Sequence, residues 1–121
     1  MTDPDAPSRE KPTAAEWLHY LVINISGIAV DQGETVAEYI GAAPPAGTGL
    51  HRYIFLVFEQ KERIDYRAPL RSNRSDEGRS CQNTRALAQR YGLGTPIAGN
   101  CFQAEFDAIV PKVYEQLSEK I

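Results

Sequence analysis

The sequence is poor in several things at once. It has one methionine, one tryptophan and two histidines, and its two cysteines, Cys81 and Cys101, form no Cys-x-x-Cys pair. Such cysteines define neither a disulfide framework nor a zinc site, and the plain expectation is two reduced thiols in a cytoplasmic protein. Long hydrophobic runs are missing. The longest apolar stretches, Leu21–Ile25 and Ile54–Phe58, are strand-sized, well short of the roughly 20 residues of a membrane span. The start, Met-Thr-Asp-Pro-Asp-Ala-Pro, lacks the basic and apolar regions of a signal peptide. There is no excess of positive charge: 13 Lys and Arg face 16 Asp and Glu, for a net charge of −3. That argues against a nucleic-acid partner, which needs a basic face, and leaves room for a local pocket that holds one anion. GxxxxGK[ST], a strand–GxGxxG–helix unit, HExxH and GxSxG are all absent. A nucleotide fold, a metal or other cofactor and an activated serine therefore have no positive support.

What is present is ordinary for a globular chain. Of 121 residues, 42% are hydrophobic and 24% charged, enough for one real core in a single domain over 1–121. Thr2–Pro12 reads as a turn or loop. Glu16–Ile25 (EWLHYLVINI) is rich in β-branched and aromatic residues and reads as one central strand. Gly27–Asp31 reads as a turn, and Glu34–Ile40 is open between strand and helix. Gly41–Gly49 (GAAPPAGTG) is a loop, and Leu50–Gln60 (LHRYIFLVFEQ) is the strongest strand, with a buried middle. Lys61–Arg79 is charged and irregular and reads as a solvated face. Asn83–Tyr91 predicts a helix capped at Asn83 or Thr84 and stopped by Gly92 and Gly94. Thr95–Phe106 predicts a strand. Asp107–Ser118 predicts a helix capped by Asp107, with Pro111 in its first turn and an Ile109, Val113, Leu117 stripe. Strands first and helices late suggest an antiparallel β structure with peripheral helices. Asn24-Ile25-Ser26 and Asn73-Arg74-Ser75 match the glycosylation pattern, and both read as chance.

The histidines carry the chemistry. Along a strand, alternate side chains share a face. Trp17, His19 and Leu21 would share one, and His51, Tyr53 and Phe55 another. If those faces converge, two imidazoles, an indole and a phenol line one place; otherwise the histidines are satisfied core or edge residues. Asp3 and Asp5 flank Pro4. They are either the Asx residues of a stiff turn or a rim aiming carboxylates at a ligand or at the imidazoles, where they would fix ring tautomers. The small residues around Pro44 and Pro45 let backbone N–H groups approach an anion.

These residues also resemble a known family. Asp3-Pro4-Asp5-Ala6-Pro7-Ser8-Arg9 is similar to the first signature of the phosphatidylethanolamine-binding (Raf kinase inhibitor) proteins, and Gly41-Ala-Ala-Pro-Pro-Ala-Gly-Thr-Gly-Leu-His-Arg-Tyr53 to the second. Glu16–His19, Val57–Gln60, Ser72–Ser75, Pro96–Gly99 and Val110–Ser118 resemble it too, and the endings look like the animal branch. The resemblance implies a mainly β fold, a Greek-key-like antiparallel β-sandwich with peripheral helices. It implies a pocket for phosphate-like anions, including phospholipid head groups, built from Asp3, Asp5, Pro7, Trp17, His19, Ala43, Pro44, His51, Tyr53 and Tyr114. There are three departures. Only Met1-Thr2 precede the first signature, so the chain reads as the C-terminal part of the family domain, with an uncovered sheet edge and exposed apolar residues expected. Ala43 replaces the usual pocket glycine, which alters the pocket if the position needs positive φ. Ala86 lies near the point where kinase-inhibiting relatives carry a regulatory phosphoserine, so that switch is expected to be absent.

The expected function is non-enzymatic binding of a phosphate-like anion, either a head group or a phosphorylated partner, with a role in kinase signalling. The partners expected are that anion and protein kinases, with at most peripheral membrane contact and a monomeric state, or self-association if the family's N-terminal portion is absent. The alternatives are a phosphomonoester hydrolase using His19 or His51 and a serine protease inhibitor, for which no inhibitory loop can be picked out.

Overall fold

The computed structural model describes residues 1–118. Its strands are β1 (Thr2–Asp3), β2 (Trp17–Leu18), β3 (Leu21–Ile23), β4 (Glu34–Ala37), β5 (His51–Val57) and β6 (Ala98–Ala104), its α-helices are α1 (Thr84–Arg90) and α2 (Val110–Leu117), and one turn of 3-10 helix spans Val30–Gln32. The first sheet has the order β2-β1-β5-β6 and the second pairs β3 with β4. Every strand pairing is antiparallel. Among the described residues no helix is long and apolar enough to cross a membrane.

The expected strand 16–25 is two strands in two sheets. The break falls at His19 and Tyr20, whose N–H groups both donate to the Met1 carbonyl, at 2.8 and 3.3 Å. The residue after them joins β4 instead, in the register Leu21↔Ala37. Leu21 therefore packs on the small-sheet cluster of Ile23, Val36 and Ile64, not beside His19. The segment Glu34–Ile40, open in the sequence, resolves as β4 over its first part. β5 differs from expectation in where it is buried. His51 and Tyr53 are 1% exposed, while Leu56 and Val57 are 39% and 52% exposed, so the buried part is its beginning. β6 is exposed over Ala98–Gln103, and Ile97, Phe102 and Phe106 add apolar surface. The Cys101 N–H donates to the Asn100 side chain at 2.9 Å, which occupies one outward donor of this edge.

Segment 61–79 holds no helix or strand beyond a single bridge between Ala37 and Arg71. It is not a solvated face throughout, because Ile64 and Arg79 are buried. Helix α1 begins as expected, with the Asn83 side chain accepting from the Ala86 N–H, a cap that satisfies one orphan donor. Helix α2 starts later than expected. Asp107 Oδ1 accepts from the Ile109 N–H at 2.9 Å, so Asp107 closes a turn ahead of the helix and Ile109 is the N-cap. The stripe shifts accordingly: Val110 is buried and Ile109 is exposed. Asn24 sits at φ 57°. Its carboxamide donates to Glu34 and the Ile64 carbonyl, and accepts from the Gln60 carboxamide and the Ile64 N–H. It is a structural polar hub, and that is what this glycosylation-like triplet encodes.

Candidate functional site

Strand β1 is only two residues long, yet it fixes the site. It runs between β2 and β5 through Asp3↔Trp17, Thr2↔Leu18 and Thr2↔Ile54. Asp3 thus sits between the two histidine-bearing stretches. A cavity of about 450 Å³ opens there. It is lined by Asp3, Pro7, Trp17, His19, Ala43, His51, Tyr53 and Tyr114 from the expected set, and by Ala6, Ala14, Ile40, Pro45, Asp76, Val113, Leu117 and Ser118 in addition. The convergence of the two strand faces is real as far as His19 and Tyr53; Leu21 and Phe55 lie outside the cavity.

The ring system is contiguous. Trp17 and His19 centroids lie 4.5 Å apart, and His19 meets Tyr53 edge-on at 5.2 Å. Tyr53 stacks on Phe102 at 5.2 Å and lies parallel to His51 at 6.4 Å. Such aromatic pairs favour offset-stacked and edge-to-face geometry. Tyr114, exposed on α2, donates its O–H to the Ala43 carbonyl at 3.0 Å. Ala43 does not have positive φ, so alanine fits there without backbone strain.

Asp3 and His51 form the buried polar centre. His51 Nδ1 donates to Asp3 Oδ2 at 2.7 Å, and Asp3 Oδ1 accepts from the Asp5 N–H at 2.7 Å. On its other side, His51 Nε2 lies 2.8 Å from Thr48 Oγ1, while that hydroxyl donates to the Pro45 carbonyl at 2.7 Å. Both ring nitrogens of His51 are thus engaged, Nδ1 with the Asp3 carboxylate and Nε2 with the Thr48 hydroxyl.

His19 is held differently. Its Nδ1 donates to the Ile40 carbonyl at 2.8 Å, and its own carbonyl accepts from the Ile40 N–H at 2.9 Å. Burial drives the ring down to about 4, against the opposing pull of the Ile40 carbonyl. Burial first, and then the Asp3 charge, push the Tyr53 hydroxyl well above its ordinary value. Both groups are neutral near pH 7.

Two expected site residues do not line the cavity. Asp5 is 1% exposed and turns to Arg52, accepting from its backbone N–H, Nε and Nη2 at 2.8, 3.0 and 2.8 Å. That bidentate hold keeps the Asp5 carboxyl below its usual range. Pro44 is fully buried, and its neighbour Pro45 lines the cavity. Sequence reasoning missed Val113 and Leu117, although the α2 stripe contained both. It also missed Arg79, which is 0% exposed. Arg79 donates to the carbonyls of Leu18, His19, Arg71 and Ser72, and its guanidinium lies 5.9 Å from the Trp17 ring centre. No acidic side chain pairs with it among the described residues, and burial lowers it to about 10. A charged residue inside a charge run carries no sequence signal of burial.

The comparisons fit this geometry. The family model for phosphatidylethanolamine-binding protein matches residues 1–103. The chain belongs to the phosphatidylethanolamine-binding protein family. It is 37% identical over 117 residues to putative odorant-binding protein A5 of Drosophila melanogaster, covering 97% of this chain and 56% of that protein. It is similar to the solution structure of CG7054, at 43% identity and a TM-score of 0.79, covering 97% of this chain and 66% of that one. It also resembles a carboxypeptidase Y inhibitor crystallised with its cognate proteinase, at 30% identity and a TM-score of 0.64, covering 88% of this chain and 57% of that one. The chain thus spans between about half and two-thirds of these relatives. Its mostly antiparallel sheet with few helices is the family's fold, with the sheets left open. The matched span includes both signatures and ends before α2, which brings Tyr114 to the cavity.

Proposed function

We propose that this chain is a non-enzymatic binding module whose cavity takes a phosphate-like anion, such as a phospholipid head group or a phosphorylated partner. The observation that carries the reading is that one cavity gathers both histidines of the chain, Asp3, Trp17, Tyr53 and Tyr114. The imidazoles and the Tyr53 phenol supply polar groups for the anion, and the aromatic wall suits the organic part of the ligand. The reading extends to a cytoplasmic protein that meets membranes only at their head groups and acts on kinase signalling by occupying a partner. The test is titration of Trp17 fluorescence with phosphorylethanolamine, alongside an assay for phosphate release. Saturable quenching or enhancement without turnover supports the module, and turnover replaces it with the hydrolase.

A second reading, protease inhibition, is favoured by the likeness to the carboxypeptidase Y inhibitor. It is tested by inhibition of carboxypeptidase Y with the purified chain, and by whether His51→Ala, which removes one imidazole of the cavity, leaves that inhibition intact.

A further inference from the structure

A buried cation lies behind the cavity wall. Arg79 is buried and absent from the cavity lining. Its guanidinium stands 5.9 Å from the centre of the Trp17 ring. Nη1 donates to the Leu18 and His19 carbonyls at 3.2 Å each, and the backbone N–H of Arg79 donates to the Asp76 carbonyl at 3.2 Å. Trp17, His19 and Asp76 all line the cavity. Nη2 donates to the Arg71 and Ser72 carbonyls at 3.0 and 2.9 Å. Every partner of the guanidinium is thus a neutral carbonyl, and its Nε is buried without a partner among the described residues. No carboxylate there pairs with it, and Arg71 acts on it more strongly than Glu38 does. A buried charge is costly unless an opposite charge stands by it.

The cavity residues do not supply that opposite charge. Asp3 is joined to His51 and to the Asp5 N–H. Asp76 is exposed, where water and salt screen it. The Tyr53 hydroxyl and the open nitrogen of His19 can hydrogen-bond a phosphoryl group, but neither is charged near pH 7. Resting on the phosphoryl reading above, we infer that Arg79 is the positioning residue for the anion: the negative charge of a ligand on the cavity side of Trp17 is the counter-charge that the guanidinium lacks. Arg79 does not touch the ligand. It acts across the indole, in surroundings where an attraction between charges is stronger than in water. Its field already reaches the cavity wall, since it is one of the charges that lower His19. A phosphodiester head group and a phosphomonoester both satisfy it, because charge is read and not a particular hydrogen.

The test compares dimethyl phosphate, with one negative charge, and trimethyl phosphate, with none and nearly the same shape, on the 121-residue chain. Trp17 fluorescence reads the binding. The unsubstituted chain should prefer dimethyl phosphate at least about tenfold. Arg79→Gln should bring that preference close to parity while trimethyl phosphate binds as before; a purely structural role would weaken both ligands together. Arg79→Lys, which keeps the charge and loses the planar fork, should keep most of the preference. An undiminished preference in Arg79→Gln overturns the inference, leaves the phosphoryl reading standing and moves the charge to His51. Equal weakening of both ligands in that variant, or equal binding of both by the unsubstituted chain, overturns it too. The Nε–H of Arg79 provides a readout that needs no substitution. Its nuclear magnetic resonance signal should shift on saturation with dimethyl phosphate and hardly move with trimethyl phosphate. Should the variants not fold, a signal blind to both ligands overturns the inference. Binding of neither ligand overturns the phosphoryl reading as well.

Discussion

Asp3 Oδ2 lies 2.7 Å from His51 Nδ1, and both residues are buried. The contact joins β1 to β5 across 48 residues of sequence, so the pair is at once a tie between strands and the charged centre of the cavity. Weakening a buried hydrogen bond to a charged group is costly. Asp3→Asn should lower the unfolding free energy by about 2 kcal/mol and weaken anion binding. Urea denaturation followed by Trp17 fluorescence reads both, and an unchanged midpoint would show that the pair is not a structural tie.

Asp5 separates from Asp3 in its effect. Its carboxylate serves Arg52 and faces away from the cavity. Asp5→Asn should cost about 2 kcal/mol of stability, while the folded fraction keeps its affinity for phosphorylethanolamine. A large loss of affinity with stability retained would place Asp5 in the site after all.

Arg79 is the one fully buried arginine, held by four backbone carbonyls. Arg79→Leu removes the cation and leaves those carbonyls short of donors, and should cost at least about 3 kcal/mol. Because two of the four belong to Leu18 and His19, the emission of Trp17 should shift as well. Chemical denaturation and emission maxima together test this.

Stability should also depend on pH through His19. Its folded value, about 4, lies below the ordinary 6.5. The unfolded chain therefore binds the proton first as the pH falls. The stabilisation is whole above about pH 6.5 and declines as the pH drops toward 4, by up to about 3 kcal/mol. His19→Gln should flatten that stretch of the profile. Denaturation midpoints between pH 4 and 7.5 provide the measurement, and an unchanged slope in the variant would assign the effect to another group.

Much of this architecture was legible because its determinants are local. Alternation on two strands brought Trp17, His19, His51 and Tyr53 to one place, and the signature motifs added Asp3 and Pro7. The same alternation sets Arg52 opposite His51 and Tyr53, so the Asp5–Arg52 pair was within reach and went unread. Other features depended on long-range partners. The break at His19–Tyr20 is set by the Met1 carbonyl and Ile40, and nothing in a continuous β-rich run marks it. Arg79 lies in a run of charges whose exposure the pattern suggests and whose tertiary contacts deny. The exposed end of the antiparallel β5–β6 pair follows from what does not cover it among the described residues, which periodicity cannot report.

The double contact between His19 and Ile40 has one more implication. Ile40 lies three residues beyond the end of the short β4 strand of the second sheet, and its carbonyl decides which nitrogen of His19 bears the hydrogen. If β4 slips or frays, that hydrogen is free to migrate to Nε2, and the cavity wall changes from acceptor to donor with no charge gained or lost. The small sheet thereby acts as a remote tautomer selector, and a packing defect around Val36 would surface as altered ligand preference before it surfaced as unfolding.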